Sequence, residues 1–136
     1  MILRLSRENT VEEVQNRFNQ AYPYLKIDFF KLSEGRLSSE VRHKIPKTAL
    51  LQAAGLRRDG ELRIDDSMTV AEMEKAFKKL FNANVQVSRK SGSIWLETTM
   101  TDSWTLRQQD DRGKELSHLS KSVPGEITDR PDADQE

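Results

Sequence analysis

The stretch LRLSRENTVEEVQNRFNQAYPYLKIDFFK, residues 3–31, has a counterpart in LRIDDSMTVAEMEKAFKKLFNANVQVSRK, residues 62–90. Laid over each other at one constant offset, the two stretches share identical residues at Leu3 and Leu62, Arg4 and Arg63, Thr10 and Thr69, Val11 and Val70, Glu13 and Glu72, and Phe18 and Phe77. After the helix the offset between the two copies increases by one residue, and Leu25 and Ile27 then align with Val85 and Val87. The pattern predicts two similar halves.

Each copy predicts a short strand followed by a capped helix. Thr10 and Glu13 have the spacing of a capping box, in which each side chain bonds the other residue's backbone amide. Val11, Val14 and Phe18 recur three and four residues apart, which is the apolar stripe of an amphipathic helix. The corresponding residues of the second copy are Thr69, Glu72, Val70, Met73 and Phe77.

After its helix, each half continues with alternating apolar and polar residues, which indicates a strand. The first half then predicts a turn at Ser33-Glu34-Gly35, a weak strand within residues 36–45, and a short helix over 48–54 that ends at Gly55. The second half predicts a turn at 90–92, a strand at 94–98, and a short helix over 104–110 capped by Asp102-Ser103.

The predicted fold class is α+β, with two tandem pseudo-repeats packed around a shared core. The predicted boundaries are 1–59 for repeat one, 60–113 for repeat two and 114–136 for a disordered acidic tail, which holds three basic and six acidic residues. Two packings are open. In a ferredoxin-like arrangement both helices cover one face of a single shared sheet, and in the other, which we favour, two pseudo-symmetric lobes share the core.

The chain offers no residues for several kinds of chemistry. It has no Cys and only two His, so we expect neither a disulfide nor a metal site. No phosphate-binding loop, HExxH or nucleophile elbow is present, so we predict no cofactor and no enzyme. Asp65 and Asp66 are interpreted as a polar turn before a helix. No apolar run predicts a membrane span or a signal peptide, and we expect a cytoplasmic protein without a membrane partner.

Five residues are candidates for binding: Arg4, Arg63, Trp95, Arg57 and Arg58. Alternation places Arg4 and Arg63 on the sheet face opposite the core, where Tyr24, Phe29 or Phe30 and Trp95 could join them. Arg57 and Arg58 belong to the mildly basic segment 36–60. Trp95 points away from its strand neighbours Ile94 and Leu96, which indicates either a sheet covered on both faces or an exposed interface.

These features support two functions. The first is a non-enzymatic protein-protein interaction or self-association module, which binds a protein partner or forms a homo-oligomer through a sheet face or the edge strand after Gly92. The alternative is a nucleic-acid-binding protein that uses Arg4, Arg63 and the basic segment, because basic and aromatic side chains on a sheet commonly hold single strands.

The twofold pattern also resembles small bacterial proteins of the Bacteroidetes type, which have duplicated strand-helix-strand repeats. The matching residues are Met68-Thr69-Val70, Phe77, Phe81 and Val85-Gln86-Val87, with Thr10-Val11, Phe18, Tyr22 and Leu25-Lys26-Ile27 in the first half. The family's Gly after the second aromatic residue is replaced by Pro23 and Asn82. The resemblance implies the repeat fold and supplies no functional site.

Overall fold

The computed structural model describes residues 1–34 and 40–122 of the 136-residue chain. Its strands are β1 (Ile2–Leu5), β2 (Leu25–Glu34), β3 (Glu40–Lys44), β4 (Gly60–Arg63), β5 (Asn84–Ser91) and β6 (Ile94–Glu97). Its helices are α1 (Val11–Ala21), α2 (Val70–Phe81) and α3 (Leu106–Ser122), with short 3-10 helices at Leu51–Ala54 and Thr99–Thr101. The predicted α+β class is confirmed.

Both predicted capping boxes are confirmed. The Thr10 hydroxyl accepts from the amide of Glu13 at 3.2 Å, and the Glu13 carboxylate accepts from the amide of Thr10 at 2.7 Å. The equivalent distances for Thr69 and Glu72 are 3.1 and 2.8 Å. The apolar stripe of each helix is buried, as its spacing predicts. Local sequence therefore determines where α1 and α2 begin.

The third helix differs from the prediction at both ends. It is capped by Thr105 rather than Asp102-Ser103, because Thr105 and Gln108 exchange the same pair of hydrogen bonds at 3.1 and 2.9 Å. It also runs to Ser122, so residues 114–122 of the predicted disordered tail are helical. Gly113 and Ser117 are buried, so α3 packs against the sheet along this length. The rest of the predicted tail, 123–136, lies outside the described residues.

The connecting elements of the first half differ from the prediction in extent. Ser33 and Glu34 of the predicted turn are the last residues of β2, and Gly35 lies outside the described residues. The short helix occupies only Leu51–Ala54, and Gly55 ends it with the left-handed φ of 93° that favours glycine. The weak strand is Glu40–Lys44, and the first residues of its predicted range lie outside the described part of the chain.

The strands form two antiparallel sheets, so the single shared sheet of the ferredoxin-like alternative is wrong for the described strands. One sheet pairs β1 with β4, and the other has the order β3-β2-β5-β6. The strands β1 and β4 have four residues each and direct Leu3, Leu5 and Leu62 into the core. Because these strands pair with each other and with none of the other described strands, they form a separate two-stranded ribbon.

One hydrophobic cluster contains residues from both halves. The central strands β2 and β5 contribute Ile27, Phe29 and Val87, which are almost fully buried. The ring of Phe29 meets that of Phe77 from α2 edge to face, with 5.9 Å between centroids. The core therefore lies between the ribbon, the helices and one face of the four-stranded sheet, and the strand β6 is left at the margin.

Candidate functional site

The strand β6 ends the four-stranded sheet and, among the described strands, pairs only with β5. All four of its residues are exposed, and Ile94, Trp95 and Leu96 keep 57%, 37% and 40% of their surface in contact with solvent. Natural proteins usually protect an edge strand with lysine, proline or a bulge, because its free backbone groups can pair with another chain. The sequence of β6, IWLE, contains no lysine or proline.

The hairpin between β5 and β6 decides which backbone groups are free. Gly92 begins a two-residue loop with φ 64°, as a type II′ turn requires, and Ser91 is opposite Ile94. The pair next to such a loop is hydrogen-bonded, and bonded and non-bonded pairs alternate along the ladder. The N–H and C=O of Trp95 and Glu97 therefore point to the open edge. Outside the ladders, no hydrogen bond between described residues uses these groups.

On one face of β6, two cations lie close to the same aromatic ring. The ammonium groups of Lys26 and Lys90 lie 5.4 and 5.9 Å from the ring centroid of Trp95. Lys26 also pairs with Asp28 at 3.6 Å, whereas Lys90 has no ion pair with a described residue. On the same face, Glu97 pairs with Arg42 at 3.0 Å. This face can therefore receive both an apolar group and a negative charge.

The opposite face of β6 is apolar and continues toward α3. Leu96 lies directly opposite Arg89, whose guanidinium carbon is 5.7 Å from the ring centroid of Trp104. Arg89 donates to Gln109 at 2.9 Å, and its Nε has no partner among the described residues. Burial and the nearby charge of Arg112 lower the pKa of Arg89.

Two further exposed apolar residues follow β6 in the chain. Met100, in the 3-10 helix directly after β6, is 95% exposed, and Trp104 precedes α3 with 37% exposed. We call Ile94, Trp95, Leu96, Met100 and Trp104 the β6 surface. It combines a free strand edge with large apolar side chains, and both features suit contact with another polypeptide.

Arg4 and Arg63 share the outer face of the β1–β4 ribbon, which agrees with the alternation of their strands. Arg4 forms an ion pair with Glu61 at 3.0 Å on that face. The predicted aromatic partners do not join them. Phe29 is buried, and Trp95 belongs to the other sheet. The structure therefore does not bring the proposed basic and aromatic residues together.

Arg57 and Arg58 lie beside the C-terminal end of α2. Arg58 donates from Nε to the carbonyl of Leu80 at 3.0 Å, and the amide of Arg57 donates to the carbonyl of Phe81 at 3.4 Å. Cations favour helix C-termini, where carbonyl groups lack partners. The Arg58 guanidinium thus has a structural role that the sequence did not indicate, whereas Arg57 contributes only its backbone amide. Of the five predicted binding residues, only Trp95 lies on the β6 surface.

Asp66 joins three parts of the fold through two hydrogen bonds. It accepts from the Tyr22 hydroxyl at 2.8 Å and from Arg107 at 2.7 Å. The pKa of Asp66 is lowered mainly by the hydrogen bond from Arg107 and next by that from Tyr22. The pKa of Tyr22 is raised mainly by its burial and next by its hydrogen bond to Asp66. The arrangement ties α1 and α3 to the loop before α2.

The described residues bear on two further kinds of site, a metal centre and a membrane span. No three His, Cys, Asp or Glu side chains at these positions are grouped as a metal site would require. Within the same residues, no helix has the length and apolar character needed to cross a membrane.

Glu74 of α2 is a partly buried acid beside the strand β5. Its carboxylate accepts from the amide of Val87 at 3.1 Å. Burial raises the pKa of Glu74, and the charges of Asp102 and Glu97 raise it further. Because its folded-state pKa exceeds its unfolded value, Glu74 favours folding most below the unfolded pKa. That contribution is lost as the pH rises through the folded pKa.

We therefore expect Glu74→Gln to raise the melting temperature by a few degrees at pH 7, because the amide carbonyl keeps the bond to Val87 without a buried charge. The gain should shrink toward pH 4, where the acid is protonated. Thermal unfolding followed by circular dichroism at both pH values measures this. Glu8→Gln, at an exposed position, is the control, and a lower melting temperature for Glu74→Gln at pH 7 would contradict the expectation.

Comparisons of the chain with protein-family models, with curated proteins and with solved structures found no match.

Proposed function

We propose that this protein is a non-enzymatic interaction module that binds another polypeptide by adding a strand to β6. The observation that carries the proposal is the open edge at Trp95 and Glu97 within a strand whose side chains are all exposed. In strand addition, backbone hydrogen bonds provide affinity, and alternate side chains provide specificity. Here the two faces differ, since one presents Trp95 with two lysines and the other presents Ile94 and Leu96.

Nucleic-acid binding has less support than strand addition. Arg4 forms an ion pair with Glu61, and the Arg58 guanidinium is engaged at the end of α2. A surface that binds a phosphate backbone needs several cations free to meet it.

We also infer that the two halves are copies of one ancestral unit. The support is a matching set of backbone hydrogen bonds at the start of each long helix. In the first half, the amide of Val11 donates to Ala49 at 2.9 Å, and that of Leu51 donates to Asn9 at 2.8 Å. In the second half, Val70 donates to Trp104 at 3.1 Å, and Leu106 donates to Met68 at 2.8 Å. The β6 surface therefore belongs to the second copy, and its counterpart in the first is β3.

Strand addition is tested with a photo-crosslinking amino acid, benzoylphenylalanine, in place of Trp95 in the full chain. Irradiation of cells that express this protein should link position 95 to a polypeptide. The same amino acid at Val41, on the opposite edge strand β3, should form no such link. The proposal would be contradicted if position 95 formed no link, or if it formed no more of the link than position 41.

A proline substitution shows whether any link depends on the strand edge. Glu97→Pro removes an amide that points away from β5, so the ladder loses no bond, and the link at position 95 should disappear. Glu97→Ala is the matched control, because it removes the same carboxylate and its ion pair with Arg42 but keeps the amide, so the link should be weakened at most and not abolished. A link that survives Glu97→Pro would rule out strand addition.

A further inference from the structure

We propose that the strand added to β6 is β6 of a second copy of this chain, which rests on the proposed function of strand addition. The two copies would be related by a twofold axis, and their sheets would join into one sheet of eight strands. Most homo-oligomers have such closed symmetry, in which the same surface of both copies meets itself.

The charges around β6 define what the added strand must contain. The ammonium groups of Lys26 and Lys90 lie over the Trp95 ring, and Lys90 has no ion pair with a described residue. A strand that pairs with β6 therefore gains most from an acidic residue directly opposite Trp95. On the other face, it gains most from an apolar residue opposite Leu96.

An antiparallel second copy of β6 meets both requirements in one register. With the axis at Leu96, Glu97 of the second copy lies opposite Trp95, and the two Leu96 side chains lie opposite each other. The outward N–H and C=O groups of Trp95 and Glu97 then bond reciprocally, and Leu96 forms the non-bonded pair. The strand that complements β6 in charge, hydrophobicity and hydrogen bonding is β6 itself.

Two neighbouring registers also satisfy the backbone, but their charges are unfavourable. An axis at Trp95 pairs the two indole rings and brings together Lys26 and Lys90 of both copies with no acid opposite them. An axis at Glu97 puts two carboxylates directly opposite each other, which destabilises strand pairing. The charges therefore select the register centred on Leu96.

The absence of cysteine from the chain makes the register directly measurable. In the proposed dimer, the Cβ atoms of the two Leu96 residues are about 4.5–5.5 Å apart, within reach of a disulfide after small adjustment. With oxidised glutathione as the oxidant, Leu96→Cys should form a covalent dimer. Trp95→Cys and Glu97→Cys should each remain unlinked alone and should link when mixed, because these two positions face each other.

A charge exchange tests complementarity without a covalent bond. Lys90→Glu and Glu97→Lys should each weaken dimerisation on the order of tenfold, because two favourable contacts become two repulsive ones. An equimolar mixture of the two variants should regain the affinity of the original chain, since each copy then offers the opposite charge. Sedimentation velocity of the full chain over a range of concentrations measures all of these species.

The outcomes separate this inference from the proposed function. A full chain that sediments as a monomer at every concentration, with no Leu96→Cys dimer, overturns self-pairing. If the position-95 crosslinker still captures a different polypeptide and Glu97→Pro abolishes the link, strand addition stands with another partner. If the crosslinker captures nothing, both proposals fall. A dimer that links through Trp95→Cys alone overturns the Leu96 register.

Discussion

Replacing Phe77 with Ala should lower the free energy of unfolding by about 3–5 kcal/mol. Phe77 is fully buried, and its ring packs edge to face against that of Phe29. The ring centroids of Phe77 and Phe81 are 6.4 Å apart. Truncation removes a large apolar surface and leaves a cavity between α2 and the sheet. Since domains of this size are stable by about 5–15 kcal/mol, the variant should be marginal at physiological temperature.

Urea unfolding gives the midpoint and slope from which this loss is calculated. Trp95→Ala is the control, because it also removes a large aromatic side chain but from an exposed position. We expect it to change the unfolding free energy of the monomer by less than about 1 kcal/mol. Equal losses for Phe77→Ala and Trp95→Ala would contradict the assignment of Phe77 to the core and Trp95 to the surface.

Gly113→Ala should destabilise the protein by about 1–3 kcal/mol, although alanine is normally the better residue in a helix. A Cβ at this position would lie 2.7 Å from the Cβ of Tyr24 and 3.2 Å from the Cγ of Arg89. Neither contact is with the free end of a flexible side chain, so α3 must move away from β2 and β5. The steric cost should exceed the propensity gain of about 1 kcal/mol.

Thermal unfolding detects this change as a lower melting temperature. The neighbouring residue Lys114 is exposed, and Lys114→Ala should have little effect on the same helix. The expectation from helix propensity alone has the opposite sign, so a higher melting temperature for Gly113→Ala would show that α3 does not pack closely on the sheet.

The helix starts could be predicted because their causes lie within a few residues. Thr10 with Glu13, and Thr69 with Glu72, satisfy backbone groups three residues apart, independently of the rest of the chain. The same signature was present at Thr105 and Gln108, and it could have located the start of α3 in place of Asp102-Ser103. The apolar stripes of α1 and α2 could also be predicted from the sequence, because their spacing follows from helix geometry.

The candidate site was predicted only in part. The sequence identified a strand after Gly92 with apolar residues on both faces, and it left open whether Trp95 was buried or exposed. It also assigned binding to Arg4, Arg63, Arg57 and Arg58. Two of these four side chains are engaged elsewhere, Arg4 by an ion pair with Glu61 and Arg58 by a carbonyl at the end of α2, and both contacts depend on neighbours distant in the sequence.

The sequence alone determined the α+β class, the capped helices and most strand positions, because turns, caps and apolar spacing are local properties. The tertiary structure decided the pairing of β1 with β4, the length of α3 and the exposure of β6. Residues 114–122 have no strong apolar stripe, and contact between α3 and the sheet supports their helix instead. Whether a strand lies in the middle or at the edge of a sheet depends on which strands pair beside it. Only the tertiary fold leaves β6 with one neighbour among the described strands and with an edge that none of them covers.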